Sequence, residues 1–173
     1  TGTDSQLNGC INDSYNLRRF LIDNKYVSAD NIHMLNDDAI GNMYPSKNNI
    51  LRLFADLVNL TLANPDKKYL IFISYSGHGT YVADTNGDET DRRDEALCPI
   101  DFDTNGLIID DQIKSQFINK LPSNVRLVML IDACYSGTVL DAKYNYKIDG
   151  TTAYTAASIP DSPAKIVMIS GST

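Results

Sequence analysis

The sequence predicts an α/β domain built on a mostly parallel central sheet, with helices against both faces. Three observations predict it. Two continuous apolar runs, Tyr69 to Ser74 and Val125 to Ile131, read as strands buried on both sides, the usual state of a parallel strand. Segments with helical spacing alternate with these runs, the pattern of a sheet wrapped by helices. Polar residues able to do chemistry follow each run at once, at the edge where such sheets bind ligands.

The elements follow in order along the chain. Asn12-Asp13 can cap a helix that carries Leu17, Phe20 and Leu21 at i, i+3, i+4 spacing. Ile32 to Leu35 reads as a short strand. Ser46 caps the clearest helix, in which Ile50, Leu53, Phe54, Leu57, Val58 and Thr61 lie on one face. Asn64-Pro65-Asp66 ends that helix before the Tyr69 strand begins. Residues 80–96 are polar and acidic and read as a loop. Asp110-Asp111 can start a helix bearing Ile113, Phe117 and Leu121, which stops at Pro122. After the Val125 strand, residues 138–163 show no clear period and read as a long loop, and Ile166 to Ile169 reads as a last strand.

Composition narrows the function. A chain of 173 residues with 43% hydrophobic residues suits a single domain, residues 1–173, with a sizeable core. Fifteen Lys+Arg against 22 Asp+Glu give a net charge of −7, which repels phosphate backbones and argues against nucleic-acid partners. Such a surface suits a hard cation or a basic substrate instead. The apolar runs fall far below the ~18 residues of a membrane span, so no membrane partner is expected. Three widely spaced cysteines form neither a zinc pattern nor a disulfide framework, and the expectation is a cytoplasmic monomer.

The chemistry gathers after the two strands. His78 follows the first within Gly77-His78-Gly79, and Cys134 follows the second within Asp132-Ala133-Cys134-Tyr135-Ser136-Gly137. If the strands are neighbours, about 4.8 Å apart, both side chains can face one substrate. A thiol becomes a strong nucleophile on losing its proton, which a nearby imidazole can take and later pass to a leaving group. Small Gly77 and Gly79 let backbone N–H groups approach an oxyanion. From spacing alone, a core cysteine and a turn histidine are an equally good reading.

Tyr75-Ser76-Gly77-His78-Gly79 and the Asp132 to Gly137 segment resemble the two catalytic motifs of the metacaspases, caspase-like cysteine peptidases. Leu7-Asn8-Gly9-Cys10-Ile11-Asn12-Asp13 resembles their N-terminal motif. Asp88-Glu89, Asp94-Glu95-Ala96-Leu97 and Ile109-Asp110-Asp111 resemble their acidic segment. The likeness runs from about residue 2 to 173 with the motifs in order, and Tyr135 stands where the family usually has His. It implies the caspase-like (caspase–hemoglobinase) α/β fold. It also implies that this is the large-subunit-like region of a longer polypeptide, without the family's first strand and without the small-subunit region, its expected partner.

The resemblance implies residue roles as well. Cys134 is the nucleophile and His78 the general acid/base; the Gly79 and Cys134 backbone amides form the oxyanion hole. Cys10, Asp13, Ser76 and Asp132 match the pocket for the residue before the scissile bond. Two carboxylates there suit Arg or Lys and oppose Asp, so protein or peptide substrates with a basic residue are expected. Capping or a turn would also explain either aspartate. Asp94, Asp110, Asp111 and Asp141 match the family's calcium-binding aspartates, and clustered carboxylates repel unless a cation intervenes. Self-cleavage in the loop after Cys134 is expected at Lys147 first and Lys143 second.

Other readings compete. Asp101-Phe102-Asp103-Thr104-Asn105-Gly106 fits the first half of an EF-hand loop, but its twelfth position is Gln112. Asp84, Asn86, Asp88 and Glu95 have similar spacing with Glu89 where glycine is required; both stretches read as turns. His33 reads as surface, Cys98 as core, and Ser136 as a turn residue outside any Gly-x-Ser-x-Gly elbow. A catalytically weak homologue acting as a calcium-binding interaction module is the alternative to an enzyme. A receiver-like regulator fits less well, since it leaves the Cys/His pair without a role.

Overall fold

The computed structural model describes residues 6–83, 93–134, 144–146, 152–154 and 162–171. Helix α1 (Cys10–Asp23) begins earlier than Asn12-Asp13 suggests, because Gly9 caps it with φ 119°, a conformation that side chains disfavour. Asp13 therefore sits inside the first turn, its N–H donating to the Gly9 carbonyl at 2.9 Å. Ile32 to Leu35 joins no sheet among the described residues. Its backbone is extended at Ile32 (φ −107°, ψ 115°), but a strand exists only through a ladder partner.

Helix α2 (Lys47–Ala63) starts as the sequence indicates, with Ser46 Oγ accepting from the Asn49 N–H at 3.3 Å. It buries Phe54, Val58 and Thr61, three of the six face residues. After α2 the chain enters β1 (Tyr69–Ser76), then turns through Gly77-His78 into β2 (Gly79–Ala83). Strand β3 (Arg93–Leu97), the short helical turn α3 (Phe102–Asn105), β4 (Ile108–Ile109) and α4 (Asp110–Gln116) follow. A 3₁₀ turn, Ile118–Lys120, leads to β5 (Val125–Asp132); then come β6 (Tyr144–Tyr146), β7 (Thr152–Tyr154) and β8 (Lys165–Ser170).

Strands β1, β5 and β8 form a parallel sheet in that order. Two other small sheets correct the loop readings. Strands β2, β3 and β4 pair antiparallel within 80–96 and just beyond it, and β6 pairs with β7 inside 138–163. The charges of Arg93-Asp94-Glu95 hid β3, although Asp94, Ala96 and Leu97 are buried. Strands β6 and β7 have three residues each, too few for a period to show.

One core joins α2, α4 and the odd-numbered face of the sheet. Val125, Leu127, Met129 and Ile131 of β5 point into it with Ile71 of β1. Phe54 of α2 stacks on Phe117 at 4.6 Å and 15°. Helix α4 stops at Phe117 (φ −123°, ψ −67°), short of Pro122, yet Ile113, Phe117 and Leu121 are all fully buried as their spacing suggests. Cover on the two faces of the sheet is unequal. Leu70, Phe72, Val167 and Ile169 are 72%, 42%, 56% and 55% exposed, and α1, which approaches β1, buries none of its own residues.

Candidate active site

Strands β1 and β5 are direct neighbours, and their register sets Ser76 level with Asp132. The Gly77 N–H donates to the Asp132 carbonyl at 3.2 Å, extending the ladder one step past β1. His78 and Cys134 each lie two residues beyond that level pair, so both stand on the same rim. They are exposed there, as groups that must meet a substrate should be. Asp132 is also flanked by the end of β8: the Gly171 N–H donates to the Ile131 carbonyl at 3.0 Å, and a Cβ on Gly171 would lie 3.1 Å from Asp132 Oδ1.

The turn that carries His78 is where the chain leaves the parallel sheet for the antiparallel one. A Cβ on Gly79 would collide with the Cys134 carbonyl oxygen and stand 3.1 Å from the Ala133 Cβ. The glycine thus lets the two turns close on each other, whatever its amide does for an oxyanion. Gly77 serves a second approach: a Cβ there would lie 3.0 Å from Tyr75 Oη. The Tyr75 hydroxyl donates toward the His78 carbonyl at 2.8 Å and lies 3.2 Å from the Cys98 carbonyl. The Cys98 N–H donates to the same His78 oxygen at 3.1 Å. Burial and the nearby Cys98 hold the Tyr75 phenol well above its ordinary ionisation range; like any phenol it is a donor at neutral pH.

Of the four residues expected to receive the basic side chain, Ser76 and Asp132 lie side by side through the β1–β5 register. Cys10 and Asp13 lie in the first turn of α1. Helix α1 approaches β1, the strand that ends in Ser76. Asp13 is exposed, and a Cβ on Gly9 would stand 3.6 Å from its Oδ2. The three cysteines are free thiols. Burial pushes the Cys98 thiol up from its ordinary value, which suppresses its thiolate.

Residues 2–143 match the family described as metacaspase, peptidase C14 domain. The chain belongs to the metacaspase family. Metacaspase-1A of Neurospora crassa is 42% identical over 150 residues, covering 86% of this chain and 32% of its own length. Metacaspase-1 of Saccharomyces cerevisiae is 40% identical over 150 residues, covering 86% and 34%. Metacaspase-1 of Candida albicans is 40% identical over 155 residues, with the same shares. The chain thus spans about a third of the length of the curated relatives it matches. Its parallel sheet with flanking helices is the caspase-like α/β fold of the metacaspases.

The metacaspase acidic segment folds beside the rim. Ala96 of β3 pairs with Ile109 of β4, and at the next position the Glu95 N–H donates to Asp110 Oδ2 at 2.9 Å. Asp110 Oδ1 accepts the Asp111 N–H at 2.7 Å. Asp94 and Asp110 are each 3% exposed. Carboxylate oxygens are the donor type that a hard cation such as calcium takes. Among the described residues no group of three or more His, Cys, Asp or Glu is gathered for a metal, so Asp111 does not complete a set with them here. Asp141, Lys143, Lys147 and Tyr135 lie outside the described residues, as do Asp84, Asn86 and Asp88.

The EF-like stretch from Asp101 is a turn. Asp101 Oδ1 accepts the Lys47 N–H at 2.8 Å and Oδ2 accepts Asn105 Nδ2 at 2.7 Å. The Lys47 ammonium donates to the Leu107 carbonyl at 2.7 Å, so a side-chain cation already occupies the seventh-position oxygen of such a loop. His33 is exposed, as its surface reading implies. Tyr75 is the residue that sequence reasoning passed over. It was visible only as a letter in a motif, because its partners are backbone carbonyls chosen by the shape of the turn.

Proposed function

We propose that the protein is a cysteine endopeptidase that hydrolyses peptide bonds after Arg or Lys, with Cys134 and His78 as its dyad. The observation that carries the reading is the β1–β5 register, which sets the two motif ends on one rim with Gly79 against the Cys134 carbonyl. Family membership supplies the reaction class.

The Cys134 thiol passes its proton to His78, and the thiolate attacks the scissile carbonyl carbon. The negative charge that develops on the carbonyl oxygen is received by the Gly79 and Cys134 backbone N–H groups. His78 returns the proton to the departing amine as the C–N bond breaks. A water deprotonated by His78 then hydrolyses the thioester, freeing Cys134 and the new carboxyl end. Asp132 and Asp13, with Ser76 and Cys10, receive the basic side chain before the scissile bond. A bidentate carboxylate–guanidinium contact gives both charge and direction. Asp94 and Asp110, joined by Asp111 and Asp141, would hold calcium, which supplies charge neutralisation and loop order with no part in bond breaking. Self-cleavage at Lys147, or secondarily Lys143, is consistent with a basic-specific peptidase.

Fluorogenic peptides with Arg, Lys or Asp before the reporter test the reading on the full-length protein. Arg and Lys substrates should be cleaved in the presence of calcium, and the Asp substrate should not. Asp132→Ala should lower kcat/KM for Arg by a factor corresponding to roughly 2–5 kcal/mol, since it leaves a cation without its partner. Equal cleavage of Asp and Arg substrates, or an unchanged Arg preference in Asp132→Ala, would overturn the pocket assignment.

A further inference from the structure

We infer that Tyr75 is a positioning residue: its phenol clamps the backbone of the turn that presents His78. The catalytic consequence of the clamp rests on the dyad reading above. His78 lies in a two-residue connection between strands that belong to different sheets, β1 and β2. Such a connection can twist unless something fixes its carbonyl. The His78 oxygen accepts from two donors at once, the Tyr75 hydroxyl at 2.8 Å and the Cys98 N–H at 3.1 Å. The first ties the turn to β1 and the second to the residue after β3.

The arrangement is built for the phenol. Tyr75 Oη also reaches the Cys98 carbonyl at 3.2 Å, so the one hydroxyl bridges the two segments that meet at the turn. Gly77 leaves the room: a Cβ there would lie 3.0 Å from Oη, 3.1 Å from Cζ and 3.4 Å from Cε1. The ring is therefore folded back under its own turn, which a larger residue at position 77 would prevent. At the next residue, Gly79 rests against the Cys134 carbonyl, so the same turn is held by the hydroxyl and bounded by Cys134. The orientation of the imidazole follows from where that backbone is held, and hydrogen-bond reach between base and nucleophile is sensitive to displacements of ~1 Å. A phenol keeps its proton throughout the neutral range, so the clamp does not loosen there.

The test is Tyr75→Phe in the full-length protein, which keeps the ring and removes only the hydroxyl. The chain has two histidines, so His33 serves as an internal control in proton NMR titration of the imidazole signals. The expected result is a moved or broadened His78 ring signal with His33 unchanged. With an Arg peptide, kcat should fall about tenfold while KM stays within about twofold, a loss of orientation rather than of binding. Iodoacetamide alkylation of Cys134 should slow as well, because a displaced imidazole takes the thiol proton less readily. Gly77→Ala, which keeps the hydroxyl but displaces the ring, should give the same His78 signature. Unchanged His78 signals in both variants would overturn the clamp whether or not the protein hydrolyses peptides. Equal disturbance of His33 and His78 would also overturn it, as general loosening. Absence of peptide hydrolysis in the parent would instead overturn the dyad reading, with the clamp still judged by the imidazole signals.

Discussion

A methyl group at Gly79 would strike the Cys134 carbonyl oxygen, so the turn that carries His78 and the turn that carries Cys134 are in close contact at this point. Gly79→Ala must push the His78 turn and the Cys134 turn apart. Peptide hydrolysis should fall by about 100-fold, the cost of misplacing reacting groups by ~1 Å; steady-state kinetics on an Arg peptide would check this. Turnover within a few-fold of the parent would mean that the turns part without consequence. The two residues proposed as the dyad stood out in the sequence because their types are specific: a Cys and a His, each just beyond an apolar run. Tyr75 was not, since nothing in one sequence says which carbonyl a phenol will find. The glycines were legible as glycines, but their actual neighbours, a phenol and a carbonyl, are properties of the folded turn.

At the scale of elements, legibility tracked how strongly each segment stated its period. Strands β1 and β5 were plain from unbroken apolar runs, and α2 from its stripe and its cap. Strand β3 was hidden because charged residues occupy three of its five positions, and one of them, Asp94, is buried. Ile32 to Leu35 has the residues of a strand and an extended backbone, but no described strand pairs with it. Its failure shows that propensity proposes a strand and pairing makes one. The α2 cap offers a direct check. Ser46→Ala removes the acceptor for the Asn49 N–H and should lower stability by about 1 kcal/mol, read as a shift in the urea midpoint at constant slope. No shift would mean that Asn49, which also donates to the Gly41 and Tyr44 carbonyls through its side chain, holds the helix start by itself.

For the whole molecule, the sequence foresaw the parallel sheet but not the unequal burial of its faces. Apolar residues on both sides of a strand look alike in sequence whether or not something covers them. Stability should also carry a mark of the buried groups near the site. An unfolded thiol ionises near pH ~8.5 and an unfolded phenol near ~10. In the folded protein Cys98 and Tyr75 hold their protons to higher pH, so in that range the native state binds more protons than the unfolded one. Their stabilisation is complete below those unfolded values and is lost as pH rises through the folded ones. Urea midpoints should therefore fall above pH ~8.5 and fall further above ~10, with the later decline reduced in Tyr75→Phe. A midpoint that stays level or rises would contradict the raised ionisation of these two half-buried groups.

The central claim is that the β1–β5 register makes one cysteine of three the nucleophile, working with His78. A thiol-reactive peptide bearing Arg next to its reactive carbon tests it most directly, with the labelled residue located by mass spectrometry of the full-length protein. All three cysteines are free, so each is a possible target. Labelling should be stoichiometric at Cys134, absent from Cys10 and Cys98, and slowed strongly in His78→Ala. Labelling spread over the three cysteines, or a rate at Cys134 that is the same without His78, would contradict the account.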